Sequence, residues 1–552
     1  MFSKKEQQTI ASLFYKLVSV RSDTNSIYEP IIEDLILNWF KQRNYFKEHS
    51  EHVGTFPLPD DALRREVVWA LVKGQSKKTV VLINHHDAIG IEEFGKFRDV
   101  AFRPDELKEK LKEKKRKSKS LIQDFENDHW IFGRGTADMK AGVALQMGVV
   151  DKFSELRNFN GNILFISVPD EETISKGMIS AISLMDELSN KHQLDYILAI
   201  NSEPYFNNVK DKAIMFEGSV GKIMPIVYIK GVKSHIGDPY AGVSPSMILA
   251  NIQRKTELNP KMCDVYHRDA TPPPIWVHLK DRKKVYDASI PEAAVGFFNW
   301  LTFTKQPTDI LNDLSNFCTE AMDQTISDIE LSYRQYCRMN NEKFEPLDYE
   351  PEVLSFSEAY KLAVEENGDK FEKAYKEKLE EAKEDFHSKK ITLPEVAVKL
   401  IEFTVESISI SDPLIIIALS GPFYPHINNQ LLKGGQKFDL EERLNRICSK
   451  FYPIQYQSNQ YFMGISDLSY CGFIGQDKDV NAIKQNSPGW DNVYKIPFDK
   501  LKKHNMQVVN IGPWGKDLHK TTERVYGPDV FERIPTIIFE LINELLEGKD
   551  EV

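Results

Sequence analysis

Cysteine is scarce in this sequence. Five cysteines occur in 552 residues, and no two of them form a Cys-x-x-Cys pair. A small, odd number of cysteines argues against a disulfide framework, and the missing pair argues against a thiolate zinc finger and a thioredoxin-like redox site. This usage favours a reducing compartment, so we expect the protein to be cytoplasmic.

Long apolar runs and an excess of basic residues are also lacking. The longest apolar run, 413–419, is far shorter than the ~20 residues that a transmembrane helix needs. Residues 1–20 have no continuous apolar core of the kind that secretory signals carry, and their spacing predicts an amphipathic helix. A formal net charge of −11 disfavours general binding to nucleic acid or to an anionic membrane.

One basic segment, 105–120, runs against the acidic composition of the chain. It leaves a local contact with nucleic acid open, but it lacks the interleaved aromatic residues that stack on bases. A solvated helical excursion is the simpler interpretation of this segment.

Short apolar runs alternate with helical stretches in the first half of the chain, and the last segment repeats this pattern. The predicted strands are 79–83, 162–168, 196–200 and 508–511, and the predicted helices are 139–153, 175–188 and 528–546. Near-continuous apolar strands between helices are typical of strands covered on both faces. The pattern predicts an α/β fold, a mixed sheet with helices on both faces, to which both ends of the chain contribute.

The middle of the chain has a different character. A strand-like run at 223–230 is followed by a helical stretch, by Pro-rich irregular sequence and then by a long charged stretch of helical period. Its Glu and Lys residues lie three and four apart, which is typical of an exposed helix face. We therefore predict two domains: a discontinuous one from 1–215 and 426–552, and an inserted α+β domain at 216–425, enlarged by helices at about 305–400.

Acidic residues and histidines follow the predicted strands at their carboxyl ends, where sites lie in open α/β sheets. They are His85 and Asp87 after the first strand, Glu171 and Glu172 after the second, Glu203 after the third and His519 after the last, with Asp138 in GRGTADMK at the start of a helix. Imidazole and carboxylate without thiolate suit zinc, or cobalt and manganese in the same site. Adjacent Glu171 and Glu172 diverge at a strand end, so that one can bind metal and the other can act as a base.

Five motifs, HHDAIG, GRGTADMKAG, VPDEET, SEP and HKTTERV, occur in this order between residues 85 and 525. Together they resemble the co-catalytic zinc metallopeptidase family that contains aminoacylase, succinyl-diaminopimelate desuccinylase and glutamate carboxypeptidase. TPPP, VYDASIP and FFNWLTF, within 271–303, further resemble the bacterial arginine-utilization branch of that family. The resemblance implies a di-zinc catalytic domain and an inserted lid domain.

The same resemblance implies a role for each candidate residue. One zinc is held by His85, Asp138 and Glu203, and the other by Asp138, Glu172 and His519, with Asp138 as the bridge. Asp87 orients the imidazole of His85, and Glu171 is the general base. His235, in GVKSHIGDP, matches the lid histidine that stabilises the oxyanion, and Asp467, in GISDLSY, matches a strip near the substrate.

These residues predict a metal-dependent hydrolase of a small N-acyl amino acid or short peptide, in which a zinc-bridged water attacks an amide bond. The narrower resemblance of 271–303 implies an arginine-related substrate. Deacylase, dipeptidase and carboxypeptidase activities all stay open, as does the choice between a monomer and a homodimer formed through the lid. A non-catalytic binding or regulatory protein on the same scaffold is the alternative. Neither a nucleic acid nor a membrane is an expected partner.

Overall fold

The computed structural model describes residues 1–113, 118–156, 158–206, 212–433 and 437–547. The chain forms two compact units. Unit 1 comprises Met1–Ser219, Ile427–Ile474 and Pro497–Val552, and unit 2 comprises Val220–His426 and Gly475–Ile496. Among the described residues, no helix combines the length and the apolar character needed to cross a membrane.

The strands of the described residues are, in chain order, β1 Val53–Pro57, β2 Glu66–Lys73, β3 Lys78–His85, β4 Trp130–Phe132, β5 Asn162–Val168, β6 Asp195–Asn201, β7 Lys212–Phe216, β8 Gly218–Ser219, β9 Gly221–Lys230, β10 Val265–Tyr266, β11 Asp269–Ala270, β12 Ile275–Asp281, β13 Ala293–Thr302, β14 Glu352–Ser355, β15 Leu414–Tyr424, β16 Ile427–Asn428, β17 Gln455–Asn459, β18 Gln507–Asn510, β19 Gly515–Lys516 and β20 Arg524–Tyr526.

The helices of the described residues are α1 Lys4–Ser19, α2 Glu29–Lys41, α3 Asn44–Glu48, α4 Pro104–Lys112, α5 Lys119–Glu126, α6 Ala141–Ser154, α7 Lys176–His192, α8 Pro245–Thr256, α9 Pro307–Asn340, α10 Phe356–Asn367, α11 Asp369–His387, α12 Leu393–Glu406, α13 Leu440–Phe451, α14 Asp477–Asn486, α15 Phe498–Lys503 and α16 Ile534–Glu547.

Unit 1 is built on a mixed sheet of eight strands in the order β1-β2-β5-β3-β6-β18-β7-β17. Strands β5, β3, β6 and β18 run parallel to one another, whereas β2 is antiparallel to β5. Val80 and Leu82 of β3 pack in a core cluster with α1, α6 and α16, while the alternate residues Val81 and Ile83 are also fully buried. Because successive strand residues point to opposite faces, both faces of the sheet are covered.

Unit 2 contains a smaller sheet of five strands in the order β12-β13-β9-β15-β14. Strands β13 and β15 pair antiparallel with β9, and β14 pairs parallel with β15. Helices α9 to α12 occupy much of the predicted helical insertion, and α10 to α12 contribute to a core cluster with the sheet. The predicted fold class, a mixed sheet with helices and a separate smaller α+β domain, is confirmed.

The segment Gly475–Ile496 lies in unit 2, although the sequence-based boundaries placed it with the catalytic domain. Its helix α14 packs against α9 and β15. The backbone N–H of Ser357 donates to Asn486 Oδ1 at 3.1 Å, and the hydroxyl of Thr308 donates to Asp479. An amphipathic helix this short fits either core, so its sequence could not show which unit it joins.

The basic segment 105–120 lies partly outside the described residues, which omit 114–117. Its first part forms most of α4, whose Leu107 and Leu111 are fully buried in a small cluster with Phe94 and Phe97. In the described part, the segment is therefore a surface helix with one apolar face toward the protein.

Candidate metal centre

The candidate residues converge because four parallel strands end at the same edge of the unit 1 sheet. His85 is the last residue of β3, and Glu203 follows β6 by two residues. The Asp138 and His519 loops are brought together by a second, three-stranded sheet in the order β19-β20-β4. Strand β4 leads into GRGTADMK, and β20 directly follows HKTTE, so that pairing of β4 with β20 sets the two loops side by side.

His85, Asp138 and Glu203 form a buried group of possible metal ligands. His85 Nε2 lies 3.1 Å from Asp138 Oδ1 and 3.1 Å from Glu203 Oε1. Two ligand atoms at about 2.1 Å from one tetrahedral zinc lie roughly 3.4 Å apart, so this spacing suits a shared ion. Each of the three residues offers one ligand atom, and these atoms lie within 4.8 Å of one another.

A second group uses the other oxygen of Asp138. His519 Nε2 lies 3.0 Å from Asp138 Oδ2 and 3.3 Å from Glu172 Oε2. Glu172 Oε1 is buried and has no hydrogen-bond partner among the described residues. A buried oxygen without a partner is costly, and a cation at this point would satisfy it. The residues therefore fit two divalent ions that share Asp138, each on one of its oxygens.

Asp87 holds the surroundings of both groups in place. Its Oδ1 lies 3.4 Å from His85 Nδ1 and accepts a hydrogen bond from the backbone N–H of Glu171 at 3.2 Å. Its Oδ2 accepts from Thr24 Oγ1 at 2.8 Å and from the backbone N–H of Glu172 at 3.3 Å. The fully buried Asp87 thus orients the imidazole, whose Nδ1 lies 3.1 Å from its backbone carbonyl oxygen, and its carboxylate fixes the loop that carries the two glutamates.

The charges of the site explain why it suits cations. Burial and the neighbouring Asp138 raise the pKa of Glu203 to about 7. Burial, outweighing His85, and the acids Asp467 and Glu172 raise the pKa of Glu171 well above its usual range. Hydrogen bonds to Asp138 and Glu172 raise the pKa of His519 to about 10. The crowded carboxylates thus disfavour one another's charge and favour imidazolium, and two divalent cations would offset the same negative charge.

Asp467 and His235 have different surroundings. Asp467 is buried in unit 1, where burial, together with the charges of Asp87 and Glu203, raises the pKa of its carboxyl to about 7. His235 is exposed in unit 2, between β9 and α8, and its Nδ1 accepts from the backbone N–H of Gly237 at 3.0 Å. The roles of both residues stay predictions.

Sequence reasoning missed the pair that supports the Asp138 loop. Glu523 Oε1 accepts the backbone N–H groups of Ala137 at 3.1 Å and Asp138 at 3.3 Å, and its Oε2 accepts from Arg134 at 2.5 Å. Both charged side chains are buried. Arg134 lies in GRGTADMK and Glu523 in HKTTERV, so both residues belong to motifs that the sequence singled out. Neither motif, however, shows that the two side chains pair with each other.

Arg65 is a second residue that the sequence did not single out. Its buried guanidinium lies 3.1 Å from Glu29, 2.8 Å from Asp61 and 3.0 Å from Asp170. Asp170 directly precedes Glu171, and its own N–H donates to Glu29 Oε1 at 3.2 Å. This network holds the start of the loop that carries the two glutamates.

We expect Arg65→Met to reduce the free energy of unfolding of unit 1 by ~3–5 kcal/mol, because it leaves three carboxylates buried without their cation. Urea denaturation followed by tryptophan fluorescence measures this loss. The neighbouring Arg64 is exposed, which makes Arg64→Met the matched control. Equal stability of the two variants would show that the network is not a stabilising one.

Known proteins resemble this chain over most of its length. The model of the peptidase family M20/M25/M40 matches residues 112–538, which is most of the chain. The protein belongs to this family. Protein YqjN of Bacillus subtilis is 31% identical to it over 98% of this chain and 97% of that protein. Protein RocB of the same organism is 27% identical over 98% of this chain and 95% of that protein.

A solved structure supports the fold assignment. A tripeptidase from Staphylococcus aureus aligns over 98% of this chain and 99% of its own, with a TM-score of 0.50 and 12% sequence identity. At that identity the likeness concerns the fold. By its family, the chain is an M20, peptidase-like hydrolase, and two groups of side chains that can hold metal ions share its Asp138.

Proposed function

We propose that the protein is a metal-dependent hydrolase that cleaves an amide or peptide bond in a small N-acyl amino acid or a short peptide. The observation that carries this proposal is the arrangement of two ligand groups around the shared Asp138. Membership of the M20 family supports the same reaction class. The preserved set of ligands, orienting acid and candidate base speaks for a catalyst, since a binding protein needs no general base.

His85, Asp138 and Glu203 would hold one ion, and Asp138, Glu172 and His519 the other. We propose zinc, because the groups combine imidazole with carboxylate and contain no thiolate, and cobalt and manganese are the alternatives. When bound, two such ions lower the pKa of a shared water and polarise the scissile carbonyl.

Glu171 is the proposed general base. Its backbone N–H donates to Asp87 Oδ1 at 3.2 Å, which holds the residue beside the ligand Glu172. It takes the proton of the attacking water and then passes that proton to the departing amine. Asp87 keeps the imidazole of His85 oriented throughout.

His235 and Asp467 complete the proposal. The family resemblance gives His235 the task of donating a hydrogen bond to the oxygen that becomes negative in the transition state. Its imidazole is exposed on unit 2, and its Nδ1 accepts from the backbone N–H of Gly237. Asp467 is the proposed substrate contact, since its charge acts on Glu171 and Glu203 from within unit 1.

We infer an arginine-related substrate from the motifs in 271–303 and from the likeness to RocB over almost the whole chain. We also infer a cytoplasmic location from the cysteine usage.

A homodimer through unit 2 is the proposed assembly, because edge strand β12 exposes the alternate apolar residues Ile275, Val277 and Leu279. An exposed apolar edge strand is a surface on which another chain can pair.

The test is a hydrolysis panel of acetyl-, succinyl- and aminoacyl-arginine beside the matched lysine and alanine compounds. Zinc, cobalt or manganese is added back to metal-free protein in each reaction. We expect at least one arginine compound to be cleaved ten or more times faster than its lysine counterpart, a discrimination of about 1.4 kcal/mol.

Two results would contradict parts of the proposal. Equal cleavage of arginine, lysine and alanine compounds would overturn the arginine-related substrate and keep the hydrolase. The absence of hydrolysis with every metal and compound would instead favour the non-catalytic, metal-dependent binding protein.

A further inference from the structure

A second cluster of histidines lies in unit 1 away from the metal centre. His49 and His52 stack with their ring centroids 5.3 Å apart, and His192 meets His52 edge to face, also at 5.3 Å. Glu51 lies beside the first two, with its Oε1 3.8 Å from His49 Nδ1 and 3.5 Å from His52 Nε2. Three imidazoles and one carboxylate thus face one another in a small volume.

The cluster is at the opposite end of the sheet from the Asp138 groups. His52 directly precedes β1, and His192 ends α7 just before β6 begins. The Asp138 groups lie instead past the carboxyl ends of β3 and β6. The histidine cluster therefore has no part in the proposed reaction centre.

The spacing of the ligand atoms suits one small cation. One atom each from His49, Glu51 and His52 lie within 4.8 Å of one another. The two distances to Glu51, 3.5 and 3.8 Å, are close to the roughly 3.4 Å that separates two ligands of a tetrahedral ion. Small rotations of the half-exposed side chains of His49 and Glu51 would bring the two distances to that value.

Tyr45 supplies the support that a ligand histidine needs. Its hydroxyl lies 2.9 Å from His52 Nδ1, and the same oxygen accepts the backbone N–H of Lys73 at 2.9 Å. When Nδ1–H donates to this oxygen, the lone pair of His52 is on Nε2, the atom that faces Glu51. Metal-bound histidines commonly have their second ring nitrogen fixed in this way.

His192 lies beside the group through its edge-to-face ring contact with His52. Its Nε2 is buried and has no hydrogen-bond partner among the described residues. The end of α7 is anchored, since Lys73 Nζ donates to the carbonyl of His192 at 3.2 Å.

We propose that His49, Glu51 and His52 form a binding site for a divalent transition cation such as zinc, with Tyr45 as the positioning residue. The half-exposed His49 and Glu51 leave the site open to water. Such a site would hold the segment that leads into β1, a strand that packs against α7 in unit 1.

Zinc binding to the full-length chain tests the proposal. Zinc is titrated against a competing chelator in the Asp138→Ala background, which removes the shared ligand of the other two groups. We expect one equivalent of zinc to remain. His49→Gln and Glu51→Gln in this background should each weaken its binding at least tenfold, whereas His387→Gln, which changes an exposed histidine of unit 2, should not.

Two further measurements keep the test decisive. Tyr45→Phe leaves all ligands in place and should still weaken zinc binding about 10–100-fold. Zinc should also slow hydrogen exchange in a peptide that covers residues 45–52. The proposal is overturned if His49→Gln and Glu51→Gln bind zinc as tightly as His387→Gln, or if zinc leaves exchange in 45–52 unchanged.

Discussion

Glu171→Gln should reduce turnover by ~10²–10⁴-fold, the contribution typical of a positioned general base. Glutamine has nearly the same shape as glutamate but cannot take a proton from water. The bound metal should stay at the wild-type amount, because Glu171 belongs to neither group of ligand atoms. The separation of turnover from metal content is what distinguishes a base from a ligand, and metal analysis beside steady-state kinetics measures both.

The control for this variant is Glu187→Gln, which removes the charge of an exposed glutamate on α7. It should keep both the turnover and the metal of the wild type. Wild-type turnover in Glu171→Gln would remove the residue from the mechanism. A loss of bound metal in Glu171→Gln would make Glu171 a ligand and leave the base unassigned.

Asp138→Ala should remove both ions and abolish activity, because its two oxygens serve different groups. Oδ1 lies 3.1 Å from His85 and Oδ2 lies 3.0 Å from His519. His519→Ala should cost only one ion, since His519 belongs to a single group. Elemental analysis at a buffered zinc concentration should therefore show a loss of two equivalents for the first variant and one for the second.

A matched comparison guards this result against unfolding. Asp124 is also a buried aspartate of unit 1, and it pairs with Arg524 at 2.7 Å and Lys516 at 2.9 Å. Asp124→Ala should lower stability and leave the ratio of metal to folded protein unchanged. If Asp138→Ala keeps both ions, Asp138 is not the bridge and the two groups are separate sites.

Much of the candidate metal centre could be predicted from the sequence because its candidate ligands follow apolar strands directly. The run TVVLI of β3 leads into His85, and YILAI of β6 leads into Glu203 within a few residues. Parallel strands bring such ends together without any further information. The same physics predicted the mixed sheet, since near-continuous apolar strands alternate with helices.

The supporting network could not be predicted in this way. Arg65 meets Glu29 and Asp170 across 36 and 105 residues of chain, and Arg134 meets Glu523 across 389. Periodicity reports which face of an element is buried, but it carries no information on which distant charge that face meets. The placement of α14 in unit 2 has the same cause, because an amphipathic helix fits any apolar surface of matching shape.

The histidine cluster was missed for a different reason. His49, Glu51 and His52 are close together in sequence, but they precede a strand. Sites in open α/β sheets are expected at the carboxyl ends of strands, so the position of these residues did not predict a site. Only the ring contact with His192, 140 residues along the chain, and the hydrogen bond with Tyr45 mark them as a group.

Hydrolysis measured while zinc is returned stepwise to metal-free protein tests the central claim most directly. The protein carries His49→Gln, so that zinc enters only the groups around Asp138. We predict no turnover of the best arginine compound without metal, and a rise that levels off at two equivalents of zinc per chain. Full turnover in the metal-free protein, or none at any amount of zinc, cobalt or manganese, would contradict the assignment as a metal-dependent hydrolase.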